Sequence, residues 1–346
     1  MTKTTGRKDH SVTRRRFIVS AGVVVAAASA FPRSPRAADK VTFGTNWKAQ
    51  AEHGGFYQAI ATGLYEKEGL NVSLRMGGPQ VNHSQLLAAG AVDLVLGESN
   101  ISAFHYVKNN VPLVATAAFF QKDLRVIIAH PGQGNDTLQA LKGKPILVAD
   151  SGRITYWRYL KAKYGYTEDQ VRPYTFSLAP FFTSKSTIQQ GYLTAEPYAM
   201  ERQGIKPIVH LLSDQGYTSY ASTLETSWKL VNEKPDLIQR FVNASIRGWY
   251  SYLYGDPQPG NVLIKRDNPE MTDGQIAYSI SKLKEYGILD SGEALKRGIG
   301  AMTHERWKNF YDLIVDAQVV DKDIDISKAY TLQFVNKGVG MDMKKT

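Results

Sequence analysis

The sequence contains no cysteine. Disulfide bonds, thiolate metal sites, cysteine nucleophiles and a lipid-modified cysteine are therefore excluded, and any chemistry must come from oxygen and nitrogen groups. It also has no apolar run of 18 residues, the length that a membrane-spanning helix needs.

Familiar catalytic motifs are missing as well. The chain shows no G-x-S-x-G elbow, H-E-x-x-H pair, Walker loop or G-x-G-x-x-G turn, and its seven histidines form no i, i+4 metal pair. Glu196 and Glu201 could flank a cleft as acid and base, but two acids five residues apart are a weak signal. We expect no catalytic residue, no metal and no cofactor.

What is present is the composition of a packed globular protein. Hydrophobic residues make up 43% of the 346 residues and charged residues 21%, which excludes a mostly disordered or collagen-like chain. A chain of this length predicts two lobes of 100 to 200 residues and leaves room for a cleft between them.

The net charge of +10 is concentrated at one end of the chain. Residues 1–38 hold eight of the 42 basic residues and one of the 32 acidic residues, so the remainder carries only +3. Lysine and arginine are scattered there and balanced by acids, without the basic stripe of a nucleic-acid-binding protein. We therefore expect no nucleic-acid partner.

The basic segment resembles a bacterial twin-arginine export signal. Thr13-Arg14-Arg15-Arg16-Phe17-Ile18 stands before an apolar stretch, Phe17 to Ala30, that is too short to anchor in a membrane. Cleavage could follow Ala30 or Ala38. The pattern predicts export by the twin-arginine machinery to the periplasm; the alternative is a basic tail with no targeting role.

From Lys40 onward, strand-like and helix-like segments alternate. Parallel strands joined by helices form an open α/β sheet that binds ligands beyond the carboxyl ends of its strands. The first such strand ends at Trp47 and the third at Gly97-Glu98-Ser99, and Tyr174-Thr175-Phe176 is a possible later strand. The chain becomes helical after about Thr226, with Pro235 at a helix start.

Two groups of residues near strand ends suggest ligand recognition. Asn46-Trp47 and His53-Gly54-Gly55-Phe56-Tyr57 could stack and orient a small aromatic ring, unless Trp47 and Phe56 are core residues and His53 caps a helix. Ser151-Gly152-Arg153, at a helix start, would suit an anion, unless it is a solvated loop.

Six blocks of the sequence, which together cover roughly residues 40–230, form a set in a fixed order. They are Asn46-Trp47, His53 to Ala59, Gly63 to Val72, Leu86 to Leu94, Leu141 to Lys144 and Gln190 to Tyr198. In these blocks the chain resembles the periplasmic solute-binding proteins of ABC importers, and more narrowly a thiamine-pyrimidine branch that includes a fungal synthase.

The resemblance implies a two-lobed α/β fold, the type II periplasmic-binding-protein fold, each lobe an open sheet with flanking helices. Lobe 1 would comprise residues 39–123 and 226–346, and lobe 2 residues 124–225. By motif position, Asn46 and Trp47 lie against the ligand ring, Glu196 accepts from a ring N–H, and Ser151-Gly152-Arg153 corresponds to a phosphate-binding turn of the synthase. The synthase's cysteine-rich block is missing and Ile101 replaces a histidine, which argues against synthase chemistry.

These observations predict an exported, monomeric receptor that closes over a planar heteroaromatic solute and delivers it to an ABC permease and its ATPase. His53, Tyr57 and Glu98 complete the candidate ligand-binding set, and Trp47 and Glu196 are expected to face each other across the cleft. One alternative is an anionic solute, a sulfonate, nitrate or aromatic carboxylate, which Arg153 would favour. Another is an exported enzyme.

Overall fold

The structure is a computed structural model that describes residues 37–78 and 81–344. Residues 1–36, which carry almost all of the suggested export signal, lie outside the described residues, so that signal remains a prediction. Among the described residues, no helix is both long and apolar enough to cross a membrane.

The first sheet is built from both ends of the chain. Its strand order is β2-β1-β3-β10-β4; β1 pairs in parallel with β2 and β3, whereas β10 runs antiparallel between β3 and β4. The late strand therefore returns the chain to the sheet in which it began. The strands are β1 Asp39–Gly44, β2 Leu70–Arg75, β3 Leu94–Ser99, β4 Leu113–Phe120 and β10 Ala221–Ser227.

The second sheet is formed by the middle of the chain. Its order is β7-β6-β8-β5-β9, with β6 parallel to β7 and β8, and β5 antiparallel to β8 and β9. Each sheet is thus mixed, where the sequence suggested parallel strands joined by helices. The strands are β5 Arg125–Ala129, β6 Ile146–Val148, β7 Val171–Pro173, β8 Ile188–Tyr192 and β9 Ile208–Leu211.

Helices flank both sheets, and α9 to α14 come after β10 in the chain. The longest, α10, begins with a proline and buries the apolar side chains that recur along one face, among them Ile238, Phe241 and Trp249. The helices are α1 Gly54–Ala61, α2 Leu64–Lys67, α3 His83–Ala88, α4 Asn100–Lys108, α5 Asp150–Arg153, α6 Tyr156–Tyr164, α7 Ala179–Thr183, α8 Glu196–Arg202, α9 Trp228–Glu233, α10 Pro235–Tyr254, α11 Gln258–Asp267, α12 Asp273–Glu285, α13 Ala294–Arg297 and α14 His304–Asp316.

The predicted fold class, two lobes that each contain an α/β sheet, is confirmed. The chain passes from the first sheet to the second between Phe120 and Arg125, and returns before Ala221. Since β10 belongs to the first sheet, its first five residues lie in the range 124–225 that we assigned to lobe 2. The exact limits of the lobes remain a prediction.

Aromatic side chains fill the core beside the first sheet. Phe56 on α1 is fully buried, and its ring centroid lies 4.8 Å from that of Phe43, 4.9 Å from that of Phe119 and 5.8 Å from that of Trp249. Phe56 is therefore a core residue, as one of the two interpretations of its motif held, while Trp47 is 37% exposed.

Replacing Phe56 with alanine should lower the free energy of unfolding by about 3 to 5 kcal/mol, because the change leaves a cavity between three aromatic rings. Urea unfolding followed by circular dichroism measures this loss. Val262→Ala, at a position 59% exposed on α11, is the control and should have little effect. A similar loss in the two variants would contradict the assignment of Phe56 to the core.

Candidate functional site

Two exposed aromatic side chains, one from each lobe, lie opposite each other. Trp47 follows β1 and Phe176 follows β7; their ring centroids are 6.5 Å apart and their planes differ by 32°. Trp47 is 37% exposed and Phe176 is 67% exposed. Both follow the carboxyl ends of parallel strands, where open α/β sheets bind their ligands.

Phe176 has a backbone conformation that is rare for an aromatic residue. Its φ angle is +62°, in the left-handed region, which costs energy for any residue with a large side chain. The expected strand Tyr174-Thr175-Phe176 is therefore wrong, since β7 ends at Pro173. Such strained residues concentrate at ligand-binding sites, where surrounding contacts hold them in place.

Glu196 is the first residue of α8 and is held by two hydrogen bonds. One carboxylate oxygen accepts from the backbone N–H of Tyr192 at 2.7 Å and the other from the Tyr174 hydroxyl at 3.0 Å. The Tyr174 ring lies 5.2 Å from that of Phe176. Burial raises the pKa of Glu196 above its ordinary value. Tyr174 thus contacts both the Phe176 ring and the Glu196 carboxylate. The sequence did not single out Phe176 as the side chain opposite Trp47.

Asn46 and His53 form a hydrogen-bonded pair beside Trp47. His53 Nε2 lies 2.9 Å from Asn46 Oδ1, and burial lowers the pKa of His53 to about 3, so the imidazole is neutral at ordinary pH. Because the amide oxygen can only accept, His53 donates through Nε2 and leaves the Asn46 amide nitrogen as a donor. The His53 side chain makes no capping hydrogen bond to α1.

The turn at Ser151-Gly152-Arg153 forms α5, at the carboxyl end of β6. Arg153 donates through Nε to Glu168 at 2.9 Å, and Lys161 binds the same carboxylate at 2.8 Å. Ser151 is exposed, whereas Gly152 is buried against Tyr156, whose ring atoms would lie 2.6 Å from an added Cβ. The arginine that was expected to meet an anion is therefore already paired.

Glu98 lies at the end of β3 and binds an arginine from the other lobe. Arg125 Nη2 is 2.9 Å from Glu98 Oε2, and the Arg125 guanidinium also pairs with buried Asp123. It lies over the Tyr192 ring, 5.8 Å from the centroid. The sequence did not single out Arg125, because nothing in the pattern near β5 distinguishes it from a surface arginine.

Tyr57 is not brought together with these residues. Its side chain is buried, and its hydroxyl donates to Asp267 at 3.1 Å, so it connects α1 to α11 within the first lobe. Burial and the nearby carboxylate raise the pKa of Tyr57. The motif placed this ring on α1 correctly but did not specify which side of the helix faces the cleft.

A cavity of about 420 Å³ lies between the lobes next to Glu196. Buried Glu52, in the turn Ala51–His53, reaches across to the other lobe and accepts a hydrogen bond from the Thr194 hydroxyl. Burial raises the pKa of Glu52, and the negative charge of Glu196 adds to the effect. None of the nine predicted site residues lines this cavity; its wall includes Glu52, Phe182, Thr194, Ala195, Tyr198 and Met271.

Two mixed α/β sheets with a cleft between them define a protein of the periplasmic-binding-protein fold. A solved structure of the aliphatic sulphonate-binding protein SsuA from Escherichia coli shares this fold with a TM-score of 0.65; the alignment covers 84% of this chain and 91% of that one at 14% identity. Residues 50–259 match the NMT1/THI5-like family, and the chain belongs to that family.

Among curated proteins, the chain is 21% identical over 315 residues to the riboflavin-binding protein RibY of Chloroflexus aurantiacus, covering 89% of each chain. It is 28% identical to the 4-amino-5-hydroxymethyl-2-methylpyrimidine phosphate synthase of Aspergillus parasiticus, over 38% of each chain. The chain is therefore similar both to a protein named for binding and to a protein named as a synthase.

The His53→Gln variant tests whether the imidazole is kept neutral. Below pH 6.5 His53 binds a proton in the unfolded chain, but in the folded protein it stays neutral down to about pH 3. Its contribution to the free energy of unfolding therefore falls as the pH falls. The variant should reduce that dependence by about 1.4 kcal/mol per pH unit. Urea unfolding between pH 6.5 and 4.5 measures it.

His105→Gln, which alters a half-buried histidine on α4, is the matched control and should change the pH dependence less. An unchanged pH dependence in His53→Gln would mean that His53 takes up its proton in the folded protein.

Proposed function

We propose that this chain is the extracytoplasmic solute receptor of an ABC importer, that it closes its two lobes over a small planar heteroaromatic solute, and that it delivers this solute to a permease and its ATPase. The observation that carries the proposal is the pair Trp47 and Phe176, two exposed aromatic faces from different lobes.

The distance between these rings suits a stacked ligand. Two successive van der Waals contacts of about 3.5 Å require roughly 7 Å between the outer rings. The centroids of Trp47 and Phe176 are 6.5 Å apart and their planes differ by 32°, so the lobes would have to open and the rings align to admit one flat ring. A solute stacked in this way would touch both lobes at once, which is what makes closure favourable.

The polar groups beside the rings define the edge of the solute. Asn46 offers an amide N–H on one lobe, and Glu196 offers a carboxylate on the other. They match a heterocycle with a carbonyl or ring nitrogen at one edge and an N–H or amino group at another. Pyrimidines and flavins have this pattern, and RibY, a relative, is named for binding riboflavin.

The charges argue against an anionic solute. Arg153 is paired with Glu168, and Arg125 is paired with Asp123 and Glu98. Glu52 and Glu196 add two further acids between the lobes, both with raised pKa because of burial. Where these acids are ionised, a sulfonate or carboxylate would have to lose its water beside a negative charge, which is costly.

Export and partnership rest on other observations. The twin-arginine pattern in residues 1–38 supports release of a folded protein into the periplasm, and the family and fold support a permease partner. We propose a monomer because closure of the cleft needs only one chain. An exported enzyme is the other candidate, since one relative is named as a synthase. Synthase chemistry is disfavoured because the cysteine block is missing and the position expected for a histidine holds buried Ile101.

Trp47→Ala and Phe176→Ala should each weaken solute binding by more than about 1 kcal/mol, because each removes one stacking face. Titration calorimetry measures this loss, first with riboflavin and then with the compound identified by native mass spectrometry of protein purified from its host. Val262→Ala, a distant exposed position, should leave the affinity unchanged. Equal affinities in all four proteins would remove the two rings from the site.

Glu196→Gln and Arg153→Ala separate the two classes of solute. If the solute presents an N–H to Glu196, the first variant should cost about 1.5 to 3 kcal/mol of binding and the second almost nothing. An anionic solute predicts the reverse order. A thermal-shift screen of both variants against pyrimidines, flavins, sulfonates and aromatic acids distinguishes these outcomes. Turnover of the bound compound would favour the enzyme instead.

A further inference from the structure

Two short stretches of backbone connect the sheets, and we call them the crossing segments: residues 121–124 between β4 and β5, and residues 216–220 before β10. Any change in the angle between the lobes must alter backbone torsions in or next to these segments. Side chains that hold both segments at once therefore influence the angle directly.

Arg306, on α14, holds both crossing segments. Its Nη2 donates to the carbonyl oxygen of Gln121 in the first segment, and its Nε donates to the carbonyl oxygen of Thr218 in the second at 3.3 Å. The guanidinium also lies over the Tyr220 ring, 4.1 Å from its centroid. One planar cation thus contacts three residues of the two segments.

The Arg306 side chain is itself fixed in place. Its Nη1 donates to Glu293 at 2.8 Å, and its own backbone N–H donates to the Thr303 hydroxyl that caps α14. The Thr303 backbone N–H in turn donates to the Tyr220 hydroxyl at 3.1 Å. The first turn of α14 is therefore bonded to the second crossing segment through both Arg306 and Thr303.

We infer that Arg306 is a positioning residue that holds the two crossing segments in the arrangement in which Trp47 and Phe176 face each other, and so sets the affinity without touching the solute. This inference rests on the proposed function, because it assumes that binding involves lobe closure. A ligand's apparent affinity is proportional to the fraction of protein in the binding-competent state, so fewer closed molecules mean weaker binding.

Lysine cannot replace arginine here. A guanidinium presents several N–H groups in a rigid plane, which lets it reach two carbonyls and a carboxylate while stacking on a ring. A lysine ammonium keeps the charge but is a point donor at the end of a flexible stem. Both Arg306→Lys and Arg306→Gln should therefore loosen the crossing segments. The lysine variant retains a positive charge that can pair with Glu293.

The absence of native cysteine allows a direct measurement. Ala88→Cys on α3 and Lys185→Cys after α7 place one exposed label on each lobe, and no other thiol reacts. Single-molecule energy transfer then reports the distance between the lobes in solute-free protein. We expect a longer and broader distribution in Arg306→Gln and Arg306→Lys, while Lys296→Ala on neighbouring α13 leaves it unchanged.

Stopped-flow measurements with riboflavin, or with the solute identified from the host, supply the second readout. Dissociation should be at least threefold faster in the Arg306 variants, with little change in the association rate. Trp47→Ala should weaken binding but leave the solute-free distance as it is. If the distance responds to Arg306 while no solute binds to the native protein, the proposed function fails and the role of Arg306 survives.

An unchanged distance distribution and dissociation rate in either folded Arg306 variant would overturn the inference. Circular dichroism and thermal melting establish which variants are folded. If Arg306→Gln does not fold, Arg306→Lys decides the question; if neither folds, Arg306 is a stability residue and the inference is wrong.

Discussion

The cleft depends on one constraint: its two aromatic walls belong to different sheets, and two short stretches of backbone connect those sheets. Trp47 follows a strand of the first sheet and Phe176 a strand of the second. Their 6.5 Å approach is therefore a property of the crossing segments as much as of the rings. The antiparallel return of β10 closes this arrangement, because it brings the second crossing segment back beside the first sheet.

Two polar contacts cross the boundary between the lobes. Glu52 bonds to Thr194, Arg125 bonds to Glu98, and each pair joins the two lobes. Glu52 is buried, and a buried carboxylate is costly unless its hydrogen bonds are satisfied; the Thr194 hydroxyl donates to it. Glu98 is exposed and pairs with the Arg125 guanidinium. Together with Asp123, the ionisable residues of these contacts are three acids and one arginine. This excess of acids is one reason why we propose a solute that is not an anion. The SsuA fold is shared, but likeness in fold does not carry the choice of solute.

Much of the architecture could be predicted from the sequence, because apolar periodicity and turn residues are local signals. The sequence also placed Asn46 and Trp47 at the end of the first strand, although that strand, β1, ends three residues earlier, at Gly44. Phe176 was not identified, since Tyr174-Thr175-Phe176 has the composition of a strand and its left-handed backbone is imposed by surrounding structure. The side of α1 on which Tyr57 lies, and the partners of Arg306 in the crossing segments, depend on contacts with residues more than 80 positions away.

Residues that contact the solute and residues that hold the crossing segments lie in different parts of the protein. Substitutions in the two groups should therefore change different quantities. A ring that stacks on the solute contributes energy only when the solute is present, so it alters the affinity of the closed state. Arg306 bonds to the backbone whether or not the solute is present, so it alters how often the closed state forms. Apparent affinity is the product of the two effects. If Trp47, Phe176, Asn46 and Glu196 contact the solute as we propose, changes in the crossing segments would alter the strength of binding without altering the choice of solute.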